Sequence, residues 1–274
     1  MSTKIIEIIS DHTYKFNFLN NNDFFWDSTD LPVKKMSLHN LVTSNQKYAD
    51  LLCQNLNSYR LVEEHSLIPR WWCSNNNKLY APAANAQAEL KIPVISHHPG
   101  VPEPKNSICF VNGESNFNLM LWGEGNFLYM SEKSTLPSSN IAIGSGCVII
   151  GPNVRSAGQT NINVRNFGSV ILEEDILLSN NCKLMTDDCH AIISTESGHR
   201  INPYGGCILI REHVWIGVQA TVMGNSIVCE HNVIGERAFV RNINSSKNSI
   251  LAGVPAKTIK TGVTWDPNDI EPSM

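Results

Sequence analysis

Between residues 210 and 240 the apolar positions return at a fixed interval of six. Ile210, Ile216, Val222, Val228, Ile234 and Val240 hold this phase without a slip. A small or compact residue mostly follows four places later: Val214, Ala220, Ser226, Asn232, Ala238 and Asn244. An amphipathic helix repeats about every 3.6 residues and a half-buried strand about every two, so neither yields a strict six. Hexads of this kind build a parallel β-helix, each supplying one short strand and one turn. In a chain with 42% apolar residues, six hits in one phase arise by chance about 3% of the time. All six being Ile or Val lowers those odds further.

The same interval links Leu172, Leu178 and Leu184 and then breaks, because the step from Leu184 to Ile210 is not a multiple of six. A loop must be inserted there, and Ser194–Gly206 holds the turn formers that suit it. A rigid coil that carries a protruding loop is a natural frame for a functional site. Ile143–Val148 is a further well-formed hexad, whereas Val154–Val170, rich in Asn and Gly, fixes no register. Roughly 140 coil-forming residues at three hexads per turn predict seven or eight coils about 4.8 Å apart. The pattern divides the chain into an N-terminal mixed α/β region (1–105), a β-helix (106–260) with the loop at about 194–206, and a tail (261–274).

In the first region the apolar run ending at Ile9 predicts a strand, and Ser37 is placed to cap a helix over roughly 38–56. That helix has Leu38, Leu41, Val42, Tyr48, Leu51 and Leu52 on its apolar face. Ala81–Leu90 reads as a second helix, and His97–Pro104 as a turn-rich connector. Phe24, Phe25, Trp26, Trp71 and Trp72 predict the core of a small domain that caps the coil or recognises a long acceptor.

Composition narrows the function. A net charge of -4 with no Lys/Arg run argues against nucleic acid, and no apolar stretch is long enough to span a membrane. The start lacks the apolar segment of a secretory signal. Eight scattered cysteines without a CxxC pair fit free thiols in a reduced, cytoplasmic protein. No histidine cluster has the spacing of a metal site; His97 and His98 read as a solvated linker.

Four motifs then occur in order: Thr186–Ile192, Gly198–Pro203, His213–Gly217 and Leu251–Lys257. From about Gly144 to Lys260 the chain resembles the hexapeptide-repeat acyltransferases, in the branch of maltose/galactoside acetyltransferases and surface-polysaccharide O-acetyltransferases. The resemblance implies a mainly β fold, a left-handed parallel β-helix, a homotrimer, and acetyl-CoA bound in the groove between subunits. It implies that His190 is the catalytic base and that Trp215 lies beside the thioester and the acceptor. A sugar hydroxyl is too weak an acid to ionise unaided, and an imidazole titrates near neutrality. Asp187, Asp188 or a backbone carbonyl is left to orient the ring. Carried over position by position, the coenzyme contacts are Val218 and Glu236 through their backbones, Arg241 and Asn242 further along, and Lys257 and Lys260 on the phosphates. The chain departs from the family at Glu236 and Arg237, where small residues are usual; Arg237 is then an extra candidate phosphate ligand. His199 and Arg200 read as a solvated loop, with contact to an anionic acceptor as the sharper alternative.

The expected function is acetyl-CoA-dependent O-acetylation of a sugar in a capsule or lipopolysaccharide, on the cytoplasmic side before or during export. N-acetylation of a nucleotide-linked amino sugar, a zinc hydratase on the same coil and a non-catalytic glycan-binding scaffold are the alternatives. His190, His199, His213 and His231 lack the spacing that a zinc site needs.

Overall fold

The computed structural model describes residues 5–19, 33–53, 59–82, 90–111, 116–131 and 133–271. The six hexad positions from Ile210 to Val240 are at most 1% exposed, as are Leu172, Leu178 and Leu184. Register shows why six is the interval. Leu172, Ile210 and Val228 are ladder partners, as are Leu178, Ile216 and Ile234, and Leu184, Val222 and Val240. Each set stacks one turn above another inside the coil, so every residue of the series contributes to one continuous apolar interior.

Three parallel sheets form the faces. The first runs from Lys78–Pro82 to Ser226–Val228, the second from Val94–His97 to Phe239–Arg241, and the third from Arg155–Ser156 to Ser249–Gly253. The parallel ladders therefore begin before residue 106, with Lys78–Pro82 against Ile108–Phe110 and Val94–His97 against Asn118–Trp122. The corners are made by residues with positive φ. Asp175, His213, His231 and Asn248 turn the chain from the first face to the third, and Asn181, Gln219 and Arg237 from the third to the second. Ser145, Asn166, Gly224 and Asn242 return it to the first. Asn, Asp, His and Gly tolerate the left-handed conformation best, so the polar half of each hexad is a backbone requirement. The coil has about six turns, fewer than the seven or eight expected. Ser169 pairs with Cys207, and the chain between them carries the inserted loop as well as the coil.

The first face is buried on both sides. Cys147–Ile150, Phe127–Met130, Ser169–Leu172 and Cys207–Ile210 have no exposed position. Outside them lie Phe16, Phe18, Leu38, Leu41, Leu51 and Leu52 from the N-terminal region, packed on Phe127, Tyr129, Ile149, Ile171 and Leu209. Lys47 anchors this layer with its ammonium 2.6 Å from the buried carboxylate of Glu173.

Two local expectations are corrected. Ile5–Ser10 is a helix, not a strand. The helix over 38–56 is two, Leu38–Ser44 and Gln46–Cys53, because Asn45 takes extended angles (φ -144°, ψ 109°) and its side chain accepts from the Lys47 amide at 3.0 Å. Ser37 caps the first of them, accepting from the Asn40 amide at 3.2 Å. Trp72 is buried at the start of the coil's interior, with Trp71 packed beside it. Phe24, Phe25, Trp26 and most of the helix expected over 81–90 lie outside the described residues.

Candidate active site

The turn that carries His190 leaves the second face after the strand Cys182–Met185. Thr186 and Asp187 are buried. The Thr186 hydroxyl accepts from the Arg165 amide at 3.0 Å. The Asp187 carboxylate accepts from the Asn166 amide group at 2.6 Å and from the Cys189 backbone at 3.0 Å. Cys189 has a φ of +67°, which bends the chain outward, and His190 follows it exposed to solvent.

Asp188 is held by two neighbours. Arg241 donates to its two oxygens at 2.9 and 2.8 Å, and the Asn202 side chain donates at 2.9 Å. The Arg241 guanidinium, and then Asn202, hold this carboxyl below the usual carboxylate range. Asn202 also donates to the His190 carbonyl at 2.8 Å and accepts from the Ile192 amide at 2.8 Å. Those three contacts close the loop on itself. The sequence reading gave Asn202 no role, since its partners lie ten to fourteen residues away. Both acids are thus occupied, and among the described residues no hydrogen bond reaches the His190 imidazole.

Trp215 stands on the third face, 37% exposed, with its Nε1 donating to Ser179 Oγ at 2.9 Å. Beside it the tail is pinned. Trp265 stacks on His213 at 4.7 Å and its Nε1 donates to the His213 carbonyl at 3.0 Å. Its ring lies 6.2 Å from that of Trp215.

Val218 and Glu236 occupy the corner between the third and second faces, joined by the Arg237 amide donating to the Val218 carbonyl at 2.9 Å. A Cβ on Gly217 would lie 2.8 Å from the Glu236 amide, and one on Gly235 3.0 Å from the Ala252 side chain. Glycine at both lets the turns approach. Ala252 pairs with Lys257 in the closing antiparallel strand Ala256–Thr261, which also carries Lys260. Val218, Glu236 and Lys257 therefore follow one edge over successive turns. The Arg237 guanidinium, the extra phosphate candidate, donates to Gln219 at 2.8 Å and lies 3.7 Å from the Glu236 carboxylate. Arg241 and Asn242 sit elsewhere, at the corner nearer His190; Asn242 accepts from the Asn225 amide at 3.3 Å.

One chain thus gathers His190, Arg241 and Asn242 at one corner of the second face, and Val218, Glu236, Lys257 and Lys260 along the opposite edge of that face, with Trp215 on the adjoining third face. No group of His, Cys, Asp and Glu able to hold a metal occurs among the described residues. No helix among them is long and apolar enough to cross a membrane.

No family model matches the chain. Over 148 residues it is 25% identical to the polysialic acid O-acetyltransferase of Neisseria meningitidis, covering 54% of this chain and 68% of that protein. Over 129 residues it is 29% identical to the putative lipopolysaccharide biosynthesis O-acetyl transferase WbbJ of Escherichia coli strain K12, covering 43% and 63% respectively. Among solved structures, the polysialic acid O-acetyltransferase OatWY superposes with a TM-score of 0.54 at 22% identity, covering 66% of this chain and 81% of that one. The polySia-specific acetyltransferase NeuO superposes with a TM-score of 0.52 at 24% identity, covering 61% and 77%. The fold is the left-handed parallel β-helix that the hexads and their motifs implied. With the ordered motifs from Thr186 to Lys257, the chain is similar in sequence to the Neisseria meningitidis and Escherichia coli O-acetyltransferases and in fold to the β-helix acetyltransferases.

Proposed function

We propose that the protein is an acetyl-CoA-dependent O-acetyltransferase acting on a sugar hydroxyl of a surface polysaccharide, capsule or lipopolysaccharide, with His190 as the general base. The observation that carries this reading is the His190 turn itself. Its imidazole is exposed and unengaged, while Asp187, Asp188, Arg241 and Asn202 spend their hydrogen bonds on holding the backbone beneath it. The relatives named for O-acetylation of polysialic acid and of lipopolysaccharide support the acceptor class.

In this reading the imidazole takes the hydroxyl proton as the sugar oxygen attacks the thioester carbonyl, and returns it to the departing thiolate. Trp215 walls the reacting groups. The edge formed by Val218 and Glu236 receives the pantetheine arm on its backbone, and Lys257 and Lys260 meet the phosphates as point charges. Asn242 completes the coenzyme contacts from the other corner, where Arg241, committed to Asp188, serves the His190 turn. Because the two halves lie on different parts of one chain, the complete site requires a second copy. That separation supports a homotrimer with three sites between subunits.

Thiol release from acetyl-CoA, measured over a panel of acidic and neutral polysaccharides, tests the reading. His190→Ala should lower turnover by about a hundredfold or more, with acetyl-CoA binding and the thermal midpoint nearly unchanged. Retained turnover in that variant removes His190 as the base. A product stable to mild alkali is an amide and replaces O- with N-acetylation.

A further inference from the structure

The second face carries a cation that rests on an indole and has no carboxylate partner among the described residues. Arg165 ends the strand Thr160–Arg165, on the outward side with Asn161 and Asn163. Its guanidinium carbon lies 5.3 Å from the centre of the Trp122 ring. Ladder register explains the meeting: Trp122 pairs with Gly144, and Gly144 with Arg165. A Cβ on Gly144 would come within 2.0 Å of the indole, so glycine there is what lets the ring seat. His98 flanks the same indole at 5.5 Å. Among the described residues no carboxylate lies within ion-pairing distance of Arg165. The nearest by register, Asp187, is already occupied by Asn166 and the Cys189 amide.

The location gives the unused cation a meaning. The Arg165 amide donates to Thr186 Oγ1 at 3.0 Å, which places it against the turn that ends in His190. Adjacent turns are about 4.8 Å apart, close to the length of one sugar residue. A guanidinium whose plane is fixed by an aromatic neighbour still offers a fork of N–H donors that matches a carboxylate in two places. Arg200, the candidate raised from sequence, is not free for that task. Its Nε donates to the Asn202 carbonyl at 2.9 Å, its Nη2 to the Pro203 carbonyl at 2.8 Å, and it lies over Tyr204.

We propose that Arg165 binds the carboxylate of an acidic sugar unit in the acceptor glycan while a hydroxyl of that unit faces His190. Trp122 is a positioning residue that orients the guanidinium, and Gly144 makes room for it. The proposal deepens the transferase reading and rests on it for the role of His190, but the carboxylate site is measurable without catalysis.

The test compares sialic-acid polymer and polygalacturonate with their carboxyl-reduced forms, by calorimetric binding and by KM and kcat. Wild type should prefer at least one carboxylated polymer. Arg165→Ala should weaken binding of that polymer and raise its KM by about ten- to a hundredfold, leaving the reduced form and kcat at saturation within about twofold. Arg165→Lys should restore part of the salt-sensitive binding, and Trp122→Phe should fall between wild type and Arg165→Ala. Equal binding of carboxylated and reduced polymers by wild type, or no loss in Arg165→Ala, overturns the proposal. Arg165-dependent binding without acetyl transfer keeps this site and removes the transferase reading; transfer indifferent to Arg165 does the reverse.

Discussion

Three hydrogen bonds converge on the Asp188 carboxylate, two from Arg241 and one from Asn202. Removing Arg241 leaves a half-buried carboxylate with one side-chain donor. Arg241→Ala should therefore cost about 1–3 kcal/mol of stability and disorder the turn before His190, so transfer falls while acetyl-CoA affinity holds within about twofold. A fall in coenzyme affinity with the turn intact would instead return Arg241 to the coenzyme groove. The pH dependence has a definite sign. The Asp188 carboxyl is depressed in the fold, so its contribution is complete above the ordinary carboxylate range near 3.8 and is lost as pH falls through the lower folded value. Acid unfolding curves of wild type and Arg241→Ala should converge at low pH. His190 was legible at this scale because a motif surrounds it. Trp122 and Arg165 were not, because only two turns of coil bring them together.

The tail offers a switch at the scale of one element. Both ring nitrogens of His213 face acceptors, Asp175 Oδ2 at 2.6 Å and the Trp265 carbonyl at 3.0 Å, so both must donate and the ring is an imidazolium when the tail is docked. Burial lowers the pKa of this imidazole, but Asp175, the Trp265 carbonyl and Asp266 outweigh it, and the net shift is upward from 6.5. Arg155 faces the same aspartate at 3.5 Å, and the His231 ring lies 5.2 Å away. Docking of the tail should be complete below pH about 6.5 and lost as pH rises through the elevated folded value. Hydrogen exchange over residues 262–271 between pH 5 and 9 reads this directly, and His213→Gln should remove the pH dependence. Protection that ignores pH in wild type would rule out the latch. The sequence reading assigned His213 no role, because Asp175 and Trp265 reach it across the coil from 38 and 52 residues away.

At the scale of the whole molecule, the N-terminal layer and the coil share the first sheet. Leu52 is 0% exposed on one side of that arrangement and Ile234 0% exposed inside the coil. Leu52→Ala and Ile234→Ala should each cost about 2–5 kcal/mol. If the shared sheet couples the two layers, both variants shift a single unfolding transition. Two separated transitions in Leu52→Ala would mean that the N-terminal layer melts independently.

The interior of the coil was legible in the chain alone, because hexad phase is local: Ile210 to Val240 need only backbone geometry to find their stacks. The loop was legible for the same reason, as a break in phase after Leu184. The corner residues were not, since Ser145, Gln219 and Arg237 share the left-handed conformation with Asn, Asp, His and Gly, and residue type alone does not mark them. Tertiary structure decided the rest. Nothing local could show that Asn202 closes the loop, that Asp187 and Asp188 bond elsewhere than to the His190 ring, or that Arg165 meets an indole and, among the described residues, no carboxylate. It also decided that the first sheet is buried twice, because a strand such as Cys147–Ile150 reads as uniformly apolar whatever covers it. Contacts within a hexad are written in sequence spacing, whereas contacts between turns and layers depend on which residues the coil brings level.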